Sequence, residues 1–185
     1  GTVGRLENER MIRLLRIPVR KATDKLMREA DLTALVDAQP EFFKNTGEPG
    51  AHIVIDHHPR KSGRKFLFDD IRPEVMATSS IMFEHLRGAG VTPDRRLSTA
   101  LYYGIQTDGM LSERNPSVAD LSAIAFLEEN FDRAALRKIM LSSYSLCRLN
   151  YFSIALAKLH FSEGVIFSDI GPAPYGEICA QIADF

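Results

Sequence analysis

Asp56, His57 and His58 stand in a row directly after the apolar run Ile53, Val54, Ile55. Two adjacent imidazoles behind a carboxylate offer a metal ligand, a proton donor and an acid that fixes a ring tautomer and raises its basicity. His57, the first imidazole, is the expected ligand, with Asp56 orienting it. The competing reading is a polar turn before Pro59 with both rings satisfied by backbone carbonyls, which leaves the adjacent acid without a purpose. Asp37 repeats the placement after Thr33, Ala34, Leu35 and Val36. Burying a lone carboxylate at a strand end is costly unless a cation or a donor compensates it, although acids there commonly cap turns. Asp108, before Gly109, reads on its own as a helix-terminal turn.

These side chains need elements that bring them to one place. Residues 33–36 and 53–55 are apolar, short and bounded by polar residues, the pattern of buried strands; residues 65–68 form a weaker third, running into Asp69 and Asp70. Strands of this kind alternating with helices predict an α/β fold: a mostly parallel sheet flanked by helices, with a helical second half. Ligands in such sheets collect beyond the carboxyl ends of the strands, where Asp37 and Asp56 fall. Helical spacing predicts a surface helix over 5–17 ended by Pro18, then a helix to residue 87 capped by Thr78, Ser79 or Ser80. Another starts near Pro93 and ends at Gln106, Thr107, Asp108 and Gly109. Further helices are expected at 117–130, 132–141 and 145–160, a strand at 164–170 and a last helix from 174 onward. Met76 to Phe83 carry a core-facing stripe with no ligand role.

The 185 residues are 45% hydrophobic and 25% charged, with a formal charge of -1. This is the composition of a folded globular chain, without the broad positive field of a non-specific nucleic-acid binder. No run is long enough to cross a bilayer. Cys147 and Cys179 form no CxxC pair, which predicts buried thiols and, with no signal segment before residue 5, a cytoplasmic protein.

Leu35-Val36-Asp37, Asp56-His57-His58 and Tyr103-Gly104-Ile105-Gln106-Thr107-Asp108 resemble, in order, the second, third and fourth motifs of the DHH phosphoesterase superfamily. Gly4 to Asn8, Ile71-Arg72-Pro73 and Ala77 to Ser80 look like its exopolyphosphatase-related branch, and RecJ-like exonucleases belong to the same superfamily. The resemblance covers residues 1–142, leaving 143–185 as a connecting helix and the start of a further segment. It implies a hydrolase that cleaves a phosphodiester or phosphoanhydride bond with water activated by two Mn²⁺ ions, for which Mg²⁺ or Co²⁺ would substitute. Asp37 would bridge the two ions, His57 and Asp108 would be terminal ligands, His58 would meet the phosphate or leaving group, and Asp56 would orient the histidines. Arg60, Arg114 and Arg5 are the candidate substrate contacts, weighed for Arg60 against a solvated charge run. The implied partner is a phosphorylated small molecule or a short single-stranded oligonucleotide, the latter placed ahead of polyphosphate and pyrophosphate. A homodimer is compatible with the family, and no membrane is implied.

The chain departs from the family pattern. The Asp-x-Asp first motif is absent before Asp31, Gly109 stands where Asp-Thr is usual, and the glycine-rich substrate domain is missing. The expectation is a fragment that holds at most one ion weakly and hydrolyses little. The alternative is a degenerate DHH module that binds a nucleotide or a partner chain without catalysis.

Overall fold

The computed structural model describes residues 3, 5–43, 50–111, 115–143, 146–173 and 178–183. The chain divides into two compact units, one of residues 22–136 and one of residues 1–21 with 137–185. The helix expected over 5–17 therefore groups with the C-terminal residues.

In the first unit a three-stranded sheet has the order β1-β2-β3, with β1 at Ala34–Val36, β2 at Ile53–Asp56 and β3 at Phe68–Ile71. Both pairings are parallel, Ala34 opposite Ile53 and Ile53 opposite Phe68, as the expected fold class requires. Val54, at the centre of the middle strand, is fully buried. Two features differ from expectation. The third strand lies three residues further along than 65–68, so Asp69 and Asp70 are strand residues and not a loop. A short helix, α2 (Asp24–Glu29), precedes the sheet, capped by Thr23 Oγ1, which accepts from the Leu26 amide at 3.3 Å.

Three helices complete this unit: α3 (Thr78–Gly88), α4 (Arg95–Leu111) and α5 (Val118–Asn130). Helix α3 packs on β2, and α4 and α5 pack on α3 and on each other. Their shared core is Met76, Ala77, Phe83, Leu101, Ile105, Ala123 and Leu127. Removing such apolar surface from water yields roughly 1.5–3 kcal/mol per large side chain, so the helices are fixed mainly by this cluster. Helix α5 starts at the capping box of Ser117 and Asp120. Helix α4 does not stop at Gly109 but continues to Leu111, because Gly109 lies against another side chain. A Cβ there would stand 2.8 Å from Met76 Cε, and one at Gly104 only 2.1 Å from Ser79 Oγ. The two glycines let α4 approach the start of α3, and tertiary packing outweighs the low helix propensity of glycine.

Helix α6 (Arg133–Met140) leads into the second unit. That unit holds α1 (Leu6–Leu15), α7 (Leu146–Ala157), α8 (Ile178–Ala183) and an antiparallel hairpin of β4 (His160–Ser162) and β5 (Val165–Phe167). Arg148 on α7 pairs with Glu7 on α1 at 3.6 Å, both side chains largely buried. His160, expected in a helix, is a strand residue, and the turn Glu163-Gly164 has positive φ at both positions (50° and 80°). The strand expected at 164–170 is half that length and pairs with β4, a strand that the helical pattern of residues 145–160 concealed. Cys147 and Cys179 are exposed free thiols, not the buried ones expected, since each lies on an outward helix face. No helix among the described residues is long and apolar enough to cross a membrane.

Candidate metal centre

Parallel pairing brings the carboxyl ends of β1 and β2 side by side, and the residues just beyond them form the site. Asp37 follows β1 with its amide bonded to the Ile55 carbonyl at 2.9 Å, so the sheet ladder extends to it. Its φ of 62° is left-handed, a conformation that aspartate tolerates better than most residues but that still costs about 1 kcal/mol. That backbone leaves the carboxylate about half exposed, at 53%.

Asp37, His57 and His58 each offer a ligand atom, and these atoms lie within 4.8 Å of one another. Each imidazole is held by a hydrogen bond on its Nδ1. His57 Nδ1 stands 2.7 Å from the Met76 carbonyl oxygen, a pure acceptor, so Nδ1 carries the proton and Nε2 keeps its lone pair. That Nε2 faces Asp37 Oδ1 at 3.5 Å. Two ligands about 2.1 Å from one ion in tetrahedral geometry sit about 3.4 Å apart, so the spacing fits a shared cation. His58 Nδ1 stands 2.8 Å from Asp56 Oδ1, which leaves its Nε2 for the site as well. The rings meet edge to face with centroids 4.4 Å apart.

Asp56 is fully buried, and its second oxygen accepts from Gln39 Nε2 at 2.7 Å. A buried carboxylate with a donor on each oxygen is a rigid support; stripping one donor costs roughly 1–3 kcal/mol. Gln39 is itself buried and takes the Lys61 amide on Oε1 at 2.9 Å, so it ties the loop after β1 to the loop after β2. The acid of the triplet thus orients the second imidazole, not the first as the residue order suggested; a backbone carbonyl orients His57. Thr78, expected as a helix cap, donates to Asp37 Oδ1 at 2.8 Å and accepts from the His57 amide at 3.2 Å. The N-cap position of α3 is Ala77, which has no capping side chain. Gln39, Met76 and Thr78 were not assigned to the site from sequence; a polar residue two positions after Asp37 was the one available signal.

Asp108 is half-buried on α4, inside the helix and not in a loop beyond it, and is not a member of the three-residue group. Arg60 is engaged by Asp69 through paired bonds of 2.8 and 3.1 Å, which raise its pKa further. Arg5 sits at the N-cap of α1, in the other unit. Arg114 lies outside the described residues. One carboxylate with two oriented imidazoles suits a first-row divalent ion such as Mn²⁺, Co²⁺ or Zn²⁺.

Among known proteins, no family model matches the chain. An uncharacterized protein of Methanocaldococcus jannaschii is 33% identical over 178 residues, which is 96% of this chain and 36% of that protein. The chain thus spans about a third of the length of this curated relative. A crystal structure of an exopolyphosphatase-related protein from Bacteroides fragilis superposes with a TM-score of 0.59 and 22% identity, over 76% of this chain and 44% of that one. At that identity the likeness establishes the fold alone: an α/β domain with a parallel sheet flanked by helices.

Proposed function

We propose that this chain is the metal-binding part of a phosphoesterase that hydrolyses a phosphodiester or phosphoanhydride bond. The observation that carries the reading is the convergence of Asp37, His57 and His58 beyond two parallel strands, with each ring held on its Nδ1 so that Nε2 is the ligand atom. The fold shared with a protein described as exopolyphosphatase-related supports the same class of reaction. Asp37 and His57 would hold a divalent ion, Mn²⁺ in the first instance; Asp108, outside the three-residue group, is the further ligand that the motif resemblance suggests. A bound divalent cation supplies charge that offsets phosphoryl oxygens and makes a water acidic enough to act at neutral pH.

The chain's own residues do the rest. His58, backed by Asp56, is the group to meet a phosphate oxygen or to protonate the leaving oxygen as an imidazolium, in which Asp56 holds the Nδ1 proton and the second proton, on Nε2, is the one given up. Thr78 holds one oxygen of the half-exposed Asp37 carboxylate. A second ion needs ligands beyond this three-residue group. A short oligonucleotide or nucleotide phosphodiester is the preferred substrate, polyphosphate or pyrophosphate the next.

The test is Mn²⁺ titration of the protein, following binding and the hydrolysis of a generic phosphodiester, repeated with Asp37→Ala and His57→Ala. Loss of binding and turnover in both variants supports the reading. Wild-type rates in both would end it, and binding without turnover in the full-length parent protein would favour the non-catalytic module.

A further inference from the structure

We propose that Asp120 is a positioning residue for the His57 imidazole, acting through the backbone of Met76. Asp120 lies at the start of α5, 44 residues from Met76, is fully buried, and accepts the Met76 amide on Oδ2 at 3.0 Å. The carbonyl of the same residue accepts from His57 Nδ1 at 2.7 Å. Met76 lies between β3 and α3, outside the regular hydrogen bonding of either, so these two bonds set how its carbonyl is aimed.

A helix cap alone does not account for this arrangement. The capping box needs one oxygen on the Ser117 amide, 2.8 Å away, and a capping acid is ordinarily exposed. Here the acid is sealed inside the helical core and spends the same oxygen on a distant amide. Burial pushes its pKa up, but the hydroxyls of Ser117 and Ser80 and the amides of Met76 and Ser117 outweigh that and hold it below the usual carboxylate value. Ser80 Oγ and Asp120 Oδ1 are both buried. The result is an anion fixed behind the metal-facing ring, with one residue's backbone between them. Groups bonded directly to a ligand ring, as the Met76 carbonyl is, typically change metal affinity by roughly 10- to 100-fold when altered, and Asp120, one residue further back, is expected at the lower end.

The ion-binding part of the proposal rests on the reading of Asp37 and His57 as ligands; the ring-orientation part does not. Long-range ¹⁵N–¹H spectra of the metal-free protein report which His57 nitrogen is protonated, and electron paramagnetic resonance of free Mn²⁺ reports binding. Asp120→Asn is expected to convert His57 from the Nδ1-protonated form to a mixture and to weaken Mn²⁺ binding about tenfold. Thr23→Ala, which removes the cap of α2 and no bond to Asp120, Met76 or His57, should lower stability with both readouts unchanged. An unaltered tautomer in Asp120→Asn, or an equal change in Thr23→Ala, overturns the proposal. If the wild type binds no Mn²⁺, the ligand reading fails and the tautomer still decides the role of Asp120. If Asp120→Asn does not fold, hydrogen exchange in the unaltered protein decides. Matched protection of the Met76 amide and the His57 ring proton supports the linkage, and a Met76 amide that exchanges freely while the ring proton stays protected refutes it.

Discussion

The Thr78 hydroxyl donates to Asp37 Oδ1 at 2.8 Å, so the first residue of α3 steers a carboxylate carried by β1. The same oxygen accepts the His57 amide, which makes Thr78 the meeting point of three chain segments. Thr78→Val keeps the shape and removes both bonds. It is expected to cost about 1–2 kcal/mol in denaturant unfolding and to weaken Mn²⁺ binding several-fold in calorimetry. Unchanged affinity would mean that the hydroxyl plays no part in aiming Asp37.

The left-handed backbone of Asp37 separates stability from binding. Asp37→Gly and Asp37→Ala should both abolish ion binding, but alanine meets the strain at φ 62° that glycine escapes. The alanine variant is expected to be the less stable by about 1 kcal/mol, read from paired urea titrations.

Asp56 has no room for a neutral substitute. In Asp56→Asn one amide hydrogen face must meet either Gln39 Nε2 or His58 Nδ1, both donors in the native arrangement. A loss of about 2–3 kcal/mol is expected, together with a changed pH profile of any turnover. Asp56→Asn with native stability would show that Gln39 and His58 can both reorient.

Gly104→Ala tests the approach of α4 to α3. The added methyl would stand 2.1 Å from Ser79 Oγ and 3.2 Å from its Cβ, so rotation of the hydroxyl alone does not clear it. About 1–3 kcal/mol of destabilisation is expected in thermal unfolding, with Gly104→Ala/Ser79→Ala recovering part of it.

The network of Asp70, Arg72, Glu84 and His85 gives an acid limb. Arg72 grips Asp70 at 2.7 and 2.8 Å and also bonds Glu84, while His85 stands 2.9 Å from Asp70. The Arg72 bonds hold the Asp70 pKa below its ordinary value, against the effect of burial. A carboxylate depressed on folding contributes stability that is complete above the unfolded pKa of about 4 and lost as pH falls through the folded value. Asp70→Asn should be less stable at neutral pH by about 1–3 kcal/mol and show a shallower decline below about pH 4. Parallel acid limbs in the two proteins would rule out Asp70 as the source.

The strand ends were legible because an apolar run that stops at an acid marks where a buried strand reaches the sheet's rim, and Ala34–Val36 and Ile53–Asp56 match that pattern. The partner of each imidazole was not legible. Residue order places Asp56 beside His57, but the chain bends at His57 and His58 beyond the end of β2, and the acid meets His58, two positions on. Thr107, Asp108 and Gly109 carry the local signature of a helix end, which packing of Gly109 on Met76 overrides. The β4–β5 hairpin does carry a local signal: Glu163-Gly164 occupies a two-residue turn with both φ positive, the geometry that matches strand twist.

Helix α3 bonds to Asp37 at its first residue and, through Glu84 and His85 near its other end, to the cluster on β3. It therefore ties the carboxylate beyond β1 to the third strand, across a sheet whose strand spacing is fixed by backbone pairing. Lengthening it by one residue would rotate one end by about 100° against the other, so an insertion should be tolerated in the loop after α3 but not within the helix or in the Met76 segment before it.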